Sequence, residues 1–228
     1  MRHEPIQSLR DAIELGPDHV PDGLFAGSQA AIFRGLRAHA NTISHARYVA
    51  MEDSYPKARA HMGDEAFHLA ASRHLQNAAV LQRPLRLIGE GFAALLAPSA
   101  ADIADAEWAY LESHGAEDAP AILLSALADE SPERLVAARV ALHPATRLLG
   151  LRRPAIFEWD GLPESDATYL LVTRPEHEVL FARVGIDEAR LIGLARRTIT
   201  LGELLEEDAA ATTTLITVGA LRPVPETI

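Results

Sequence analysis

The sequence predicts an α+β protein: an all-helical N-terminal domain over residues 1–153, then a small mixed module over residues 154–228. Three observations predict it. Apolar positions recur at three- and four-residue spacing through the first part, the period of an amphipathic helix. Beyond Pro154 two β-branched and aromatic runs appear, residues 168–173 and 179–184, and such runs flanked by turn residues read as strands. Between the two parts stands Leu142-His143-Pro144, closing on Pro154 and Trp159.

The helical part is punctuated by breakers. Residues 6–15 and 24–36 carry the helical period, separated by Gly16-Pro17-Asp18 and Pro21-Asp22-Gly23. A third helix is expected over 42–53, ending before Tyr55-Pro56 because the residue before proline avoids the α region. Pro56 suits the first turn of a short helix over 57–61. Gly63 closes that turn, and Asp64 is placed to cap a helix over 65–76. Residues 85–96 read as a further helix, weakened by Gly89 and Gly91 at about 1 kcal/mol each relative to alanine. A helix over 100–114 follows, ending at Gly115. Ser131-Pro132-Glu133 starts another, with a capping serine and proline at the first helical position, running to about residue 142.

In the second part the two strands, separated by Arg174-Pro175-Glu176-His177, form a β-hairpin. Asp187 heads a helix over 188–196, and Thr200-Leu201-Gly202-Glu203 matches a capping box opening the next. Residues 212–218 are ambiguous: their β-branched content favours strand, whereas Gly219 suits a helix end. A short strand over 221–224 completes a winged-helix-like set of elements.

Composition narrows the function classes. The chain has 228 residues, 48% of them hydrophobic but only 5% aromatic, so its core is built from Leu, Ala and Val. No run approaches the ~20 apolar residues that span a bilayer, and Met1-Arg2-His3-Glu4-Pro5 lacks a following apolar stretch, which argues against a signal peptide. With no cysteine there is no disulfide framework, and a cytoplasmic location is the expectation. The net charge is −11. From Pro154 onward there are 13 acidic and 6 basic residues, so the winged-helix-like part is the more acidic one. That balance argues against nucleic acid, whose binding depends on phosphate neutralisation by Lys and Arg.

Constellations that could carry chemistry are few. His61, Glu65, His68 and His74 fall near metal-ligand spacing, but Gly63 interrupts any common helix face, and solvated surface imidazoles are the plainer account. Asp102, Asp105 and Glu107 could act as paired carboxylates; anchoring an arginine such as Arg73 or Arg86 explains them as well. Trp108 and Trp159 read as packing residues. No phosphate loop, serine elbow or cysteine nucleophile is present, so no catalytic residue is assigned. The hairpin carries the most usable signal. If residues 168–173 form an edge strand, their free N–H and C=O groups could pair with an extended peptide. Tyr169, Leu171 and Thr173 would share one face and set specificity, with Arg174 at the strand end. The alternative is a protected edge that binds nothing.

In order, His39-Ala40-Asn41, Tyr55-Pro56, Gly63-Asp64-Glu65-Ala66-Phe67, Asp102…Glu107-Trp108-Ala109, Leu142-His143-Pro144, Pro154…Trp159 and Arg174-Pro175 resemble the motif series of the bacterial HvfC/BufC family, long described as DNA-binding. The resemblance spans about residues 32–205. The family carries Tyr-Arg-Asn where this chain has His39-Ala40-Asn41, and Phe-Pro where it has Tyr55-Pro56. Members resemble partner subunits of multinuclear non-haem iron-dependent oxidases that modify cysteine-containing ribosomal peptides, as in methanobactin, bufferin and 3-thiaglutamate biosynthesis. The resemblance implies a helical domain that docks on a TIM-barrel-like iron oxidase, with Asn41, Tyr55, Glu107 and Trp108 as interface residues. It also implies a C-terminal module similar to a peptide-recognition element that captures the precursor peptide. No cofactor is then expected in this chain, the iron belonging to the partner. The competing expectation is a transcriptional regulator using the winged-helix-like part on DNA, favoured by Arg196-Arg197 and disfavoured by the acidic surroundings.

Overall fold

The computed structural model describes residue 23 and residues 25–128 and 130–225; the helix expected over 6–15 lies outside these. The described chain is mixed α+β and divides into two compact units. One takes the described residues up to Asp53 together with Ala71–Gly89; the other takes Ser54–Ala70 and the described residues from Glu90 onward.

In the first unit, α1 (Gln29–Ser54) is one helix of 26 residues where two were expected. The intervening Arg37-Ala38-His39-Ala40-Asn41 holds neither Gly nor Pro, and the Thr42 hydroxyl donates to the Ala38 carbonyl at 3.0 Å, so nothing interrupts the backbone ladder. Asn77 caps the short α4 (Ala78–Leu81), its side chain accepting the Ala79 N–H at 2.9 Å. The buried His74 ring donates Nε2–H to the Ile88 carbonyl at 2.8 Å, and burial pushes its pKa below the usual histidine range.

The second unit contains α2 (Pro56–Met62) and the first part of α3 (Asp64–Leu75), whose residues from Ala71 belong to the first unit. Pro56 occupies the first turn as expected. Asp64 is not a cap: it is the first helical residue, and its carboxylate accepts from Arg59 Nε at 2.7 Å. The helix expected over 85–96 is absent. Two 3₁₀ turns, Leu85–Leu87 and Phe92–Leu95, stand in its place, with Gly91 at φ 82° starting the second. That left-handed conformation is incompatible with a continuing helix.

The second unit is organised by α5 (Pro98–His114) and two sheets. The short helices α6 (Leu124–Leu127) and α7 (Pro132–Ala137) precede the strands. The helix expected to reach residue 142 stops at Ala137. Arg139–Leu142 is instead β1, paired antiparallel with both β5 (Ile199–Thr200) and β6 (Leu221–Pro223). Arg139-Val140-Ala141-Leu142 suits either state locally, and the two flanking strands decide for sheet. The second sheet has the order β2 (Arg147–Gly150), β3 (Tyr169–Thr173), β4 (Leu180–Val184), all antiparallel. The predicted hairpin is β3–β4. Since β1 and β2 pair with strands that follow residue 154, no unit limit falls at residues 153/154.

Both faces of the second sheet are covered. Leu170 and Val172 pack with Phe157 against Ala106 and Ala109 of α5, whose alanines allow close approach. Leu171 and Val184 face the main core, built with Leu191 and Ile192 of α8 (Ile186–Ala195), Leu201 and Leu204 of α9 (Leu201–Glu207), and Leu215 and Ile216 of α10 (Ala209–Thr217). The α9 capping box forms as expected, Thr200 Oγ1 accepting the Glu203 N–H at 3.2 Å and the Glu203 carboxylate accepting the Thr200 N–H at 2.9 Å. Helix α8 starts slightly earlier than expected, with Gly185 at its N-cap and the Glu188 carboxylate on the Gly185 N–H at 2.9 Å.

Of the ambiguous residues 212–218, those from Thr212 to Thr217 are helical and Val218 caps the helix end. Thr212, Thr213, Thr214 and Thr217 each direct the hydroxyl to the carbonyl four residues back, at 2.7–3.2 Å, so their β-branched side chains are satisfied within the helix. Burial of Leu215 and Ile216 then overrides strand propensity. Among the described residues no helix is long and apolar enough to cross a membrane.

Candidate functional site

The expected peptide-binding residues are committed inward. β3 is the central strand of its sheet, with β2 on one side and β4 on the other. Both rows of its backbone groups are therefore used, and the expectation of an edge strand at residues 168–173 is corrected: no peptide can add there. Leu171 and Thr173 are buried, and the Thr173 hydroxyl donates to the Val218 carbonyl at 2.7 Å. Tyr169 is half-buried against the main core. Arg174 is buried too. It donates to the carbonyls of Ser113 and Ala116 at 3.0 and 2.8 Å and to Asp118 at 2.7 Å, tying the end of β3 to the segment after α5.

β2 and β4 are the outer strands of this sheet, and each has an unpaired edge; that of β4 lies beside exposed apolar side chains. Leu151 N–H donates to the Thr168 carbonyl at 2.9 Å, in register with the pairs Leu149↔Leu170 and Arg147↔Val172. In an antiparallel ladder, hydrogen-bonded pairs recur at every second residue. Leu170 and Val172 therefore bond towards β2, while Tyr169, Leu171 and Thr173 bond towards Val184, Ala182 and Leu180. What remains is Phe181 and Arg183, whose N–H and C=O groups turn outward; among the described residues no strand pairs with them.

The side chains flanking this edge are arranged for rigidity on one face and exposure on the other. Phe181 stacks on Tyr110 at 6.4 Å and tilts against Trp159 at 4.7 Å between centroids. The Arg183 guanidinium donates to the carbonyls of Pro154, Phe157 and Ala167 at 2.8–3.1 Å and lies 4.9 Å from the Phe157 ring centroid. On the other side Leu180 is 40% exposed, and Ile186, at the start of α8, is 63% exposed. The result is a stiff, unpaired strand beside accessible apolar side chains, the surface that strand addition requires.

Of the expected interface residues, two are interior. Tyr55 is buried between Phe92 at 5.0 Å and Trp108 at 6.3 Å. Glu107 is buried and accepts the backbone N–H groups of Lys57 and Ala58. Neither offers its side chain to a partner. Asn41 is exposed on α1, and Trp108 is half-exposed with Nε1 donating to Glu112 at 3.2 Å. The acidic series on α5 does anchor an arginine, but it is Arg152 rather than Arg73 or Arg86: Asp102 and Asp105 accept from its Nη1 at 3.0 and 2.7 Å. Among the described residues no three His, Asp or Glu side chains are grouped to hold a metal.

Leu142-His143-Pro144 proves to be a structural joint. The buried His143 ring donates Nε2–H to the Ala119 carbonyl at 2.9 Å and accepts the Ala145 N–H on Nδ1 at 3.2 Å. Both ring nitrogens are thereby used in the neutral tautomer. Sequence reasoning missed the β4 edge because a hairpin's outer strand is defined by what does not pair with it, and β2 carried no strand signal strong enough to assign. No family model matches the sequence, and no curated protein matches it.

Proposed function

We propose that this chain is a non-catalytic partner subunit that binds a ribosomally made precursor peptide through its C-terminal module and presents a residue of that peptide, a cysteine in the first instance, to a multinuclear iron-dependent oxidase subunit. The observation that carries the reading is the unpaired edge of β4, with the backbone groups of Phe181 and Arg183 outward and Leu180 and Ile186 exposed beside it. An extended peptide adding there gains main-chain hydrogen bonds, and alternate side chains meet the apolar flank. The order of hairpin, helix, short strand, two helices and final strand supports reading this part as a winged-helix-like, peptide-recognition-element-like module. The acidic C-terminal half favours a peptide with basic residues. The partner supplies the iron, and this chain contributes by positioning, which converts a bimolecular encounter into an oriented one. The ordered motif resemblance supports docking through the N-terminal helices, with Asn41 and Trp108 as the accessible residues of the set.

The regulator reading fares worse against the same geometry. In the α9–α10 pair the second helix exposes Ala209, Ala210, Thr213 and Thr217, none of them basic, while α9 exposes Glu203, Glu206 and Glu207. The acidic surface of α9 repels the phosphate backbone, and the exposed face of α10 offers it no cation.

Co-expression with an iron-oxidase subunit and a cysteine-bearing peptide encoded nearby tests the proposal, read by size-exclusion chromatography, iron analysis and fluorescence anisotropy of the labelled peptide. Iron is expected in the heteromeric peak. Peptide affinity should fall about tenfold or more in Ile186→Lys, where a charge replaces an exposed apolar contact, while oxidase association stays intact. Turnover by this chain alone, or peptide binding indifferent to Ile186→Lys and Leu180→Lys together, would overturn it.

A further inference from the structure

The second unit contains a cavity of about 560 Å³ between α2, the start of α5 and the segment after β2. That size is typical of small-molecule sites, which pair apolar walls with a few convergent polar groups. Its apolar wall comes from Ile103, Phe157 and Trp159. Trp159 and Phe157 lie nearly parallel, 8° apart at 6.0 Å, so this wall is flat and rigid.

The polar groups are mostly donors, and their neutralisation differs. Lys57 is already occupied: its ammonium pairs with Asp160 and sits 5.2 Å from the Trp159 ring centroid. Asp102 is saturated. Only 1% exposed, it accepts the backbone N–H groups of Arg152 and Arg153 at 3.0 and 2.8 Å besides the Arg152 guanidinium. This buried carboxylate fixes the corner from which Arg153 enters the cavity wall. The Arg153 guanidinium itself takes part in no ion pair or hydrogen bond found among the described residues. On the same lining, the Ser99 hydroxyl and His61 Nε2 lie 3.2 Å apart. Glu158 is the remaining carboxylate on the wall, and it is exposed to water.

We propose that this cavity binds a small organic carboxylate with an aromatic or branched apolar body, the Arg153 fork and the Ser99 hydroxyl holding the carboxylate while the body lies against Phe157, Trp159 and Ile103. A guanidinium presents two parallel N–H donors that match a carboxylate's two oxygens. Asp102 fixes the Arg153 backbone at the cavity wall. The cavity shares Phe157 and Trp159 with the packing behind Phe181 and Arg183, but Arg153 and Ser99, which hold the carboxylate, take no part in the β4 edge, so either assignment can stand without the other.

The test is titration of the full chain with phenylacetate, with its neutral isostere phenylacetamide and with acetate, followed by isothermal titration and saturation-transfer NMR. Phenylacetate should bind saturably, and phenylacetamide and acetate each at least about tenfold more weakly. Arg153→Ala should weaken phenylacetate about tenfold with an unchanged melting temperature, since the side chain has no partner to lose; Glu158→Gln should tighten binding about twofold. No saturable binding, equal binding of acid and amide, acetate binding as well as phenylacetate, or Arg153→Ala without effect would each overturn the proposal.

Discussion

The carboxylate of Glu107 on α5 accepts the backbone N–H of Lys57 on α2 at 2.6 Å, and its second oxygen takes the Ala58 N–H at 3.0 Å. A side chain fifty positions away in sequence thus closes a helix start that its own neighbours leave open: Tyr55 makes no side-chain cap, and Pro56 supplies no N–H. The negative charge also meets the positive end of the α2 dipole.

Removing that carboxylate leaves one buried and one part-buried donor without acceptors. Glu107→Ala should cost about 2–4 kcal/mol of stability, and Glu107→Gln, which keeps one carbonyl oxygen, about half as much. Urea denaturation of the two variants beside the parent chain checks this; equal losses would mean that packing rather than hydrogen bonding sets the cost.

Two carboxylates pull the acid stability of this unit in opposite directions. Burial pushes the Glu107 pKa up, against the pull of the Ala58 and Lys57 N–H groups. For this group the folded state holds its proton more tightly, so its contribution improves as pH falls from the raised folded value towards the ordinary carboxylate value. Asp118 behaves oppositely: the Arg174 guanidinium holds it below the usual range. Its contribution is present above the ordinary carboxylate value and disappears as pH falls through the depressed one. Melting temperatures from about pH 7 to about pH 3 should therefore fall less steeply in Asp118→Asn and more steeply in Glu107→Gln than in the parent chain. Because Asp118 is largely exposed, solvent screening keeps its share small.

Two glycines with left-handed backbone separate strain from crowding. Gly91 has φ 82° with nothing within 4 Å of where a Cβ would stand, so Gly91→Ala should cost only the backbone penalty of about 1 kcal/mol. Gly219, at φ 67°, ends α10 directly against the Pro175 ring, which an added Cβ would strike. Gly219→Ala should cost about 2–4 kcal/mol, the same penalty plus overpacking. Thermal or chemical denaturation of both variants gives the comparison.

The pattern of what was legible follows from range. Ser131 and Thr200 announced their helices because a cap is settled within four residues: Ser131 Oγ accepts the Arg134 N–H, and Thr200 and Glu203 bond reciprocally. The β3–β4 hairpin was readable for the same reason, its two strands being joined by a short loop. Asp102 and Arg152 were not readable as a pair. They lie fifty residues apart, and Arg73 or Arg86 is as suitable a partner on charge alone.

The sequence by itself determined the mixed α+β character, the hairpin, the caps of α7 and α9 and the acidity that disfavours nucleic acid, because each depends on neighbouring residues or on composition. Only the tertiary structure decided that residues 139–142 are strand, that β3 lies in the middle of its sheet and that β4 is an outer strand. The physical reason is that a strand's identity and its free hydrogen bonds depend on partners distant in sequence. Val140 becomes sheet because Ile199 and Pro223 flank it, and Leu171 is interior because Leu148 and Ala182 stand on either side.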